Sequence, residues 1–152
     1  RAYGDAERLY RTDPQFRKLA EINLSETHGF IESHIGRPRL FARDGGVYLM
    51  GRNWRTAPPG GPRQPLAGTG RLVGGPGWME LALFRIDPGT LQVKRWAILD
   101  NAERANVTDG YYAVPYFQER DGRTWLNVIT YRGRHGAHPD IVRLEFEWAE
   151  VK

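Results

Sequence analysis

An internal repeat is the feature that most constrains how this chain can fold. The stretch PRLFARDGGVYLMGRNW begins at Pro38, and the closely similar PYFQERDGRTWLNVITYR begins at Pro115, 77 residues later. A second pair, LYRTDP from Leu9 and LFRIDP from Leu83, recurs with a spacing of 74 residues. Two different half-motifs therefore recur in the same order with nearly the same spacing. This is an internal repeat, and an internal repeat indicates that similar supersecondary units recur along the chain.

The repeated pieces predict β-hairpins. Asp-Gly sequences separate RPRLFAR from VYLMGRN and YYAVPYFQER from TWLNVITYR, and Asp-Pro-Gly separates MELALFRI from LQVKRWAIL. Such turns between apolar or alternating runs are the strongest local hairpin signal. RLYRT and FRKLAEI form an earlier pair, and DIVRLEFEW is a last strand. The Pro- and Gly-rich segment 55–77 is expected to be a long loop that is either functional or disordered, because loops of this length are otherwise uncommon.

We therefore predict an all-β fold made of β-propeller blades, each with four antiparallel strands. The whole chain, 1–152, is expected to be a single propeller segment of about two blades. Residues 1–25 supply outer strands of a preceding blade, 26–100 a full blade with its long loop, and 101–152 the first three strands of a following blade. The repeated hairpin is thus the first hairpin of a blade, present twice.

Two blades cannot close a ring, since closed propellers have at least about four. The remaining blades must come from a longer chain or from copies of the same chain. In the second case, FRKLAEI of one copy would serve as fourth strand to the C-terminal strands of the next. Three copies would then give a six-bladed trimer.

Composition excludes several classes of function. The 152 residues contain no cysteine, so there is no disulfide framework, thiol nucleophile or thiolate metal site. The net charge is +4, but basic and acidic residues are interspersed, so we predict no nucleic-acid partner. No apolar run approaches the length of a membrane span, and no membrane partner is predicted.

The motifs resemble a known family. HIGRPRLFARDGGVYLMGRNW, LFRIDPGTLQVKRWAIL and TDGYYAVPYFQERDGRTWLNVITYRGRHG, within residues 30–148, are similar to the C-terminal blades of sialidase-like (exo-α-sialidase, BNR-type) six-bladed β-propellers. RTDPQF and RIDPGTL occupy the places of degenerate Asp boxes, while the full S-x-D-x-G-x-T-W box is absent. The family's first blades, which carry one arginine of its carboxylate-binding triad and the acid/base aspartate, have no counterpart in this chain.

The resemblance implies a propeller that binds or hydrolyses glycans, possibly acidic sugars. The chain would be a glycoside hydrolase of the exo-sialidase type if the full ring is present, and secreted or periplasmic. Its partner would be a glycan or a small acidic ligand. The alternative is a non-catalytic structural or protein-interaction fragment.

Three arginines are candidate substrate-binding residues: Arg37, Arg39 and Arg52. A guanidinium can hold a carboxylate through two parallel hydrogen bonds, which lysine cannot do. Alternatively, these are exposed hairpin arginines that only cover apolar surface. The resemblance places Asp109 and Tyr112 at the family's D-x-x-Y positions, where a tyrosine beside a carboxylate can act as nucleophile. Alternatively, Asp109 caps a turn and Tyr112 packs in the core.

The remaining candidates come from loops expected on the same face. Glu32 is a candidate acid/base carboxylate, and Trp54 could stack on a sugar ring. Tyr131, Arg134 and His135, in YRGRHGAHP, complete the predicted substrate-binding set. The two histidines of RHGAH lack helical spacing and an obvious third ligand, so we predict no metal site and no cofactor.

Overall fold

The computed structural model describes residues 8–24, 35–55, 77–103, 106–107 and 109–152, with the backbone alone at 54 and 55. Three antiparallel sheets account for most of these residues, so the predicted all-β class is confirmed. Of the predicted 55–77 loop, all but the two end residues fall outside the described ranges. No helix within those ranges is long and apolar enough to cross a membrane.

The three sheets follow one another along the chain. Sheet 1 is the pair β1 and β2, sheet 2 has the order β3-β4-β5-β6, and in sheet 3 the central β9 pairs with β10 on one side and with β7 and β8 on the other. The strand bounds are β1 Arg8–Thr12, β2 Lys18–Asn23, β3 Ile35–Arg43, β4 Gly46–Arg55, β5 Trp78–Ile86, β6 Val93–Glu103, β7 Asp109–Gly110, β8 Val114–Arg120, β9 Arg123–Gly133 and β10 Asp140–Glu147. A single helical turn, α1, covers Trp148–Val151.

The two Asp-Gly hairpins have the same turn. Asp44 and Gly45 have φ of 48° and 71°, and Asp121 and Gly122 have φ of 52° and 70°. Positive φ at both central residues is the turn that matches the twist of a hairpin, and Asp-Gly favours it. The 77-residue sequence repeat is therefore also a repeat of backbone conformation.

The two Asp-Pro turns also correspond. The Asp13 carboxylate accepts hydrogen bonds from the backbone N–H groups of Gln15 and Arg17, each at 2.9 Å. The Asp87 carboxylate likewise accepts from Gly89 at 2.8 Å and Thr90 at 2.9 Å. Hydrogen bonds from Lys94 and from these amides hold the pKa of Asp87 well below its usual range. The hairpin β1–β2 is thus the counterpart of β5–β6.

Sheet 3 differs from its prediction in two places. The expected strand YYAVPYFQER begins only at Val114, as β8, and the short β7 precedes it; both pair with β9, while residues 111–113 bulge out between them. Three residues there oppose two on β9, and an extra residue of this kind bends a strand. The last predicted strand ends at Glu147, and Trp148 begins α1 instead.

Sheet 2 lies between the other two sheets. Its central strands β4 and β5 are buried on both faces, and their side chains alternate between two hydrophobic clusters. Tyr48, Met50, Met79, Leu81 and Leu83 pack with Leu126 and Val128 of sheet 3. Leu49, Ala82, Phe84 and Ile86 pack with Leu9 and Ile22 of sheet 1 and with Leu24, which follows β2. The described residues therefore form an open three-layer stack, with no closed ring among them.

Trp148 joins sheets 2 and 3 at the end where the hairpins turn. Its buried indole N–H donates to Asp44 Oδ2 at 2.8 Å. The ring contacts Tyr48 and Phe117 edge to face, with centroids 4.8 and 5.1 Å away. The hydrogen bond from Trp148 lowers the pKa of Asp44. Trp148 thus anchors α1 between the two sheets.

Replacing Trp148 by alanine should lower the free energy of unfolding by about 3–5 kcal/mol, because a large buried aromatic side chain is lost from a packed cluster. Urea denaturation measures the change. Leu40→Ala is the matched control, since Leu40 is an exposed apolar residue on β3 and its loss should change stability by about 0.5 kcal/mol or less. Equal small effects for both variants would contradict the docking of α1.

Candidate functional site

Five of the predicted site residues meet at the end of the stack opposite Trp148. The last residues of β4 lie beside the first residues of β3, and β7 lies beside the last residues of β9. Hydrogen bonds join these two regions. We call the resulting group the Arg52 cluster, consisting of Arg37, Arg52, Asp109, Tyr112 and Tyr131.

Arg52 is the centre of the cluster. It leaves β4 toward sheet 3, where Nη1 donates to Asp109 Oδ1 at 2.5 Å and to the Gly110 carbonyl at 3.2 Å. Nη2 donates to the Tyr112 hydroxyl at 3.2 Å. Because Arg52 is only 7% exposed, the interpretation as an exposed hairpin arginine was wrong. Its planar fork of donors instead ties the two sheets together.

Two glycines allow the backbones to approach Arg52 and β9. A Cβ at Gly36 would lie 3.0 Å from Arg52 Nε. A Cβ at Gly110 would lie 2.6 Å from the backbone oxygen of Tyr131, a distance that real Cβ atoms do not adopt. Glycine at both positions therefore leaves room for the guanidinium and for the pairing of β7 with β9.

Two left-handed backbone positions flank Tyr112. Tyr111, in the bulge of sheet 3, has φ of 60°, and Arg37, at a register shift in β3, has φ of 51°. Residues without a glycine's freedom adopt this conformation at a cost of order 1–3 kcal/mol, and such positions cluster at functional sites. Exposed Arg37 lies with Cζ 5.0 Å from the centroid of the Tyr112 ring. The two bulges thus aim Arg37 and Tyr112 at one another.

Tyr131 and Asp109 form the second half of the cluster. The Tyr131 hydroxyl donates to Asp109 Oδ2 at 2.8 Å, and its ring meets Tyr112 edge to face at 5.8 Å. Burial and the hydrogen bond to Asp109 raise the pKa of Tyr131 to about 12. Tyr131 is therefore a neutral hydrogen-bond donor at physiological pH. The Asp109 side chain is 51% exposed, so its carboxylate is open to solvent as well as to Arg52.

Sequence reasoning missed a polar group just behind the cluster. Arg132 pairs with Asp100 of β6, and fully buried Tyr111 lies beside this pair. Burial raises the pKa of Tyr111, which keeps the phenol neutral. Alternation along β9 is the signal that could have found the pair, because it puts Arg132 on the same face as the core residues Leu126 and Val128.

The other predicted residues do not join the cluster within the described part of the chain. Arg39 is exposed on β3. Arg134 pairs with Asp140 at 2.9 Å across the turn between β9 and β10, and His135 is exposed in that turn. Glu32 and the side chain of Trp54 lie outside the described residues.

In the described ranges, no group of three or more His, Asp or Glu side chains could hold a metal ion. Comparison of the chain with protein-family models, with curated proteins and with solved structures finds no match. The resemblance to sialidase-like propellers therefore stays a prediction from sequence motifs.

The raised pKa of Tyr131 gives a pH test. Unfolded tyrosine loses its proton near pH 10, whereas folded Tyr131 keeps it to about pH 12. Its contribution to stability is therefore complete below pH 10 and is lost as the pH rises toward 12. Between these values, the free energy of unfolding of the wild type should fall more steeply than that of Tyr131→Phe. Parallel curves from urea denaturation would contradict the assignment.

Proposed function

We propose that the Arg52 cluster binds an acidic sugar, and that it contacts both the carboxylate and the hydroxyl groups of that sugar. One observation carries the proposal: the exposed Arg37 guanidinium of sheet 2 lies next to the half-exposed Asp109 carboxylate and two tyrosines of sheet 3. These groups are chemically complementary to a ligand that has both an anion and several hydroxyls.

Arg37 is the group that would bind the ligand's carboxylate. Its side chain is exposed and is held over the Tyr112 ring. A free guanidinium edge can form two parallel hydrogen bonds to a carboxylate. Arg52 has a different task, because its terminal nitrogens already bond to Asp109, Gly110 and Tyr112. It holds the groups around Arg37 in place and adds a second positive charge to the site.

Tyr131 and Asp109 would bind the rest of the sugar. The Tyr131 ring is partly exposed, so a sugar's C–H groups can pack on it. The Tyr112 ring already carries the guanidinium groups of Arg37 and Arg52. The exposed part of the Asp109 carboxylate can accept a hydrogen bond from a sugar hydroxyl. Specificity for an acidic sugar over its neutral counterpart would come from Arg37.

Hydrolysis is a further step that needs additional groups. Glycosidases use two carboxylates, or a tyrosine nucleophile with a separate acid. Asp109 is the single carboxylate of the cluster within the described residues. Glu32 is the candidate second carboxylate from this chain. Turnover would therefore require Glu32 or residues from blades that this chain does not contain.

On this proposal the three sheets are consecutive blades of a β-propeller of the sialidase-like type. The repeat supports it, since equivalent turns recur in order along the three sheets. The face-to-face packing of each sheet on the next also supports it. Further blades would come from a longer chain or from other copies.

The alternative function, a structural or protein-interaction module, has one observation in its favour. Arg52 is buried and engaged by three groups, as expected of an anchor between sheets. On that alternative, Arg37 would have no sugar ligand, and replacing it would not change the response to acidic sugars.

Arg37→Gly separates the two functions. Glycine adopts the positive φ of this position without strain, so the variant should be as stable as the wild type or slightly more stable. Binding of glucuronic acid or N-acetylneuraminic acid, measured by NMR titration, should weaken at least tenfold. Arg37→Lys should recover only part of the affinity, because lysine lacks the planar fork.

Arg85→Ala is the matched control, since Arg85 is an exposed arginine of β5 in register with Tyr48, away from the cluster. It should leave binding unchanged. Glucose, the neutral counterpart of glucuronic acid, should bind at least tenfold more weakly to the wild type. Failure of the wild type to bind either acidic sugar, or equal binding by Arg37→Gly, would overturn the proposed function.

A further inference from the structure

The outer face of sheet 3, which points away from sheet 2, carries several exposed apolar side chains. Leu126 and Val128 point into the core, so their neighbours along β9 point outward. Ile141 is 76% exposed there, and Val114 and Ile129 are also exposed. Tyr116 completes an apolar patch across three strands.

Asn127 lies in the middle of this outer face and has an unusual environment. It is 0% exposed, and neither its amide nitrogen nor its amide oxygen has a hydrogen-bond partner among the described residues. Its cross-strand neighbours are Tyr116 and Glu145. A buried amide without partners is rare and costly. Because Asn127 is already inaccessible, the exposed residues around it, and not its amide, are the ones that a second molecule could contact.

The repeat identifies what that face corresponds to. Subtracting the 77-residue spacing maps Trp125 on Tyr48 and Asn127 on Met50. Both residues of sheet 2 belong to the cluster that packs against sheet 3. The outer face of sheet 3 is therefore the same surface, one repeat later, that sheet 2 uses to bind its neighbour.

The outer face of sheet 1 corresponds, in the repeat, to the face of sheet 2 that packs against the preceding sheet. Tyr10 lies 74 residues before Phe84, whose ring faces sheet 1. Because Leu9 points toward sheet 2, Tyr10 points away from it and is exposed. Lys18 and Glu21 lie beside Tyr10 on β2. By this correspondence, the outer face of sheet 1 is the face against which a preceding sheet would pack.

We infer that the outer face of sheet 3 binds the outer face of sheet 1 of a second copy of this chain, head to tail. The contact would continue the stacking that already joins the three sheets within one copy. It differs from the strand exchange considered from the sequence, because it joins the faces of two sheets and not the edges of two strands.

The contact should be weaker than the packing inside the chain. Arg143 and Glu145 of β10 correspond by register to Leu81 and Leu83 of β5, and they pair with each other at 2.6 Å. The apolar part is therefore confined to β8, β9 and the start of β10. Association should be reversible and concentration-dependent, and head-to-tail contacts give either rings or open chains.

Sedimentation velocity over a concentration series tests the inference. The wild type should form larger species as concentration rises, and Ile129→Lys on sheet 3 or Tyr10→Glu on sheet 1 should each leave a monomer. Leu40→Lys is the matched control, since it puts the same charge on an exposed apolar residue of sheet 2 outside both faces. If Ile129→Lys fails to fold by circular dichroism, Val114→Lys replaces it.

Mixing the two monomeric variants tests whether the contact is head to tail. Tyr10→Glu keeps an intact sheet 3 face and Ile129→Lys keeps an intact sheet 1 face, so the mixture should form a dimer that grows no further. A wild type that stays monomeric at every concentration would overturn the inference. So would association of Tyr10→Glu with itself, or a mixture that stays monomeric. None of these outcomes depends on sugar binding.

Discussion

The ion pair between Arg52 and Asp109 is the interaction on which the site end of the stack depends. Arg52 belongs to sheet 2 and Asp109 to sheet 3, and their 2.5 Å contact joins the two sheets. Asp109 in turn accepts from Tyr131, and Arg52 donates to Tyr112. Removing the buried guanidinium would take away its hydrogen bonds to Asp109, to the Gly110 carbonyl and to the Tyr112 hydroxyl. The desolvation of Arg52 is offset because its fork meets three acceptors, and half-exposed Asp109 keeps part of its hydration.

The two ends of the interface between sheets 2 and 3 are built from different chemistry. At the hairpin end, Trp148, Phe41, Tyr48 and Phe117 form an aromatic cluster. At the other end, guanidinium, carboxylate and phenol groups replace apolar contacts. Methionine, leucine and valine side chains fill the space between them. Apolar packing therefore stabilises the hairpin end and the middle of this interface, whereas hydrogen bonds and an ion pair join the sheets at the other end.

Much of the fold could be predicted because its signals are local. Asp44-Gly45 and Asp121-Gly122 specify their turns by themselves, and alternation specifies which residues of β9 reach the core. The convergence of Arg52, Asp109 and Tyr112 was considered from the sequence only through a family resemblance. The burial of Arg52 could not be predicted, because it depends on how two sheets pack across 57 residues of chain. The bulge at 111–113 was also missed, since Tyr111 carries none of the usual signals for positive φ.

A double-mutant cycle between Arg52 and Asp109 tests the central claim most directly. Arg52→Gln, Asp109→Asn and the double variant are compared with the wild type by urea denaturation. Because the two groups are in direct contact, we expect a coupling energy of about 1–3 kcal/mol. The exposed pair Arg134 and Asp140 is the matched control, and its coupling should be about 0.5 kcal/mol or less. Additive effects of the Arg52 and Asp109 substitutions would contradict the account, because sheets 2 and 3 would then not be joined by this ion pair.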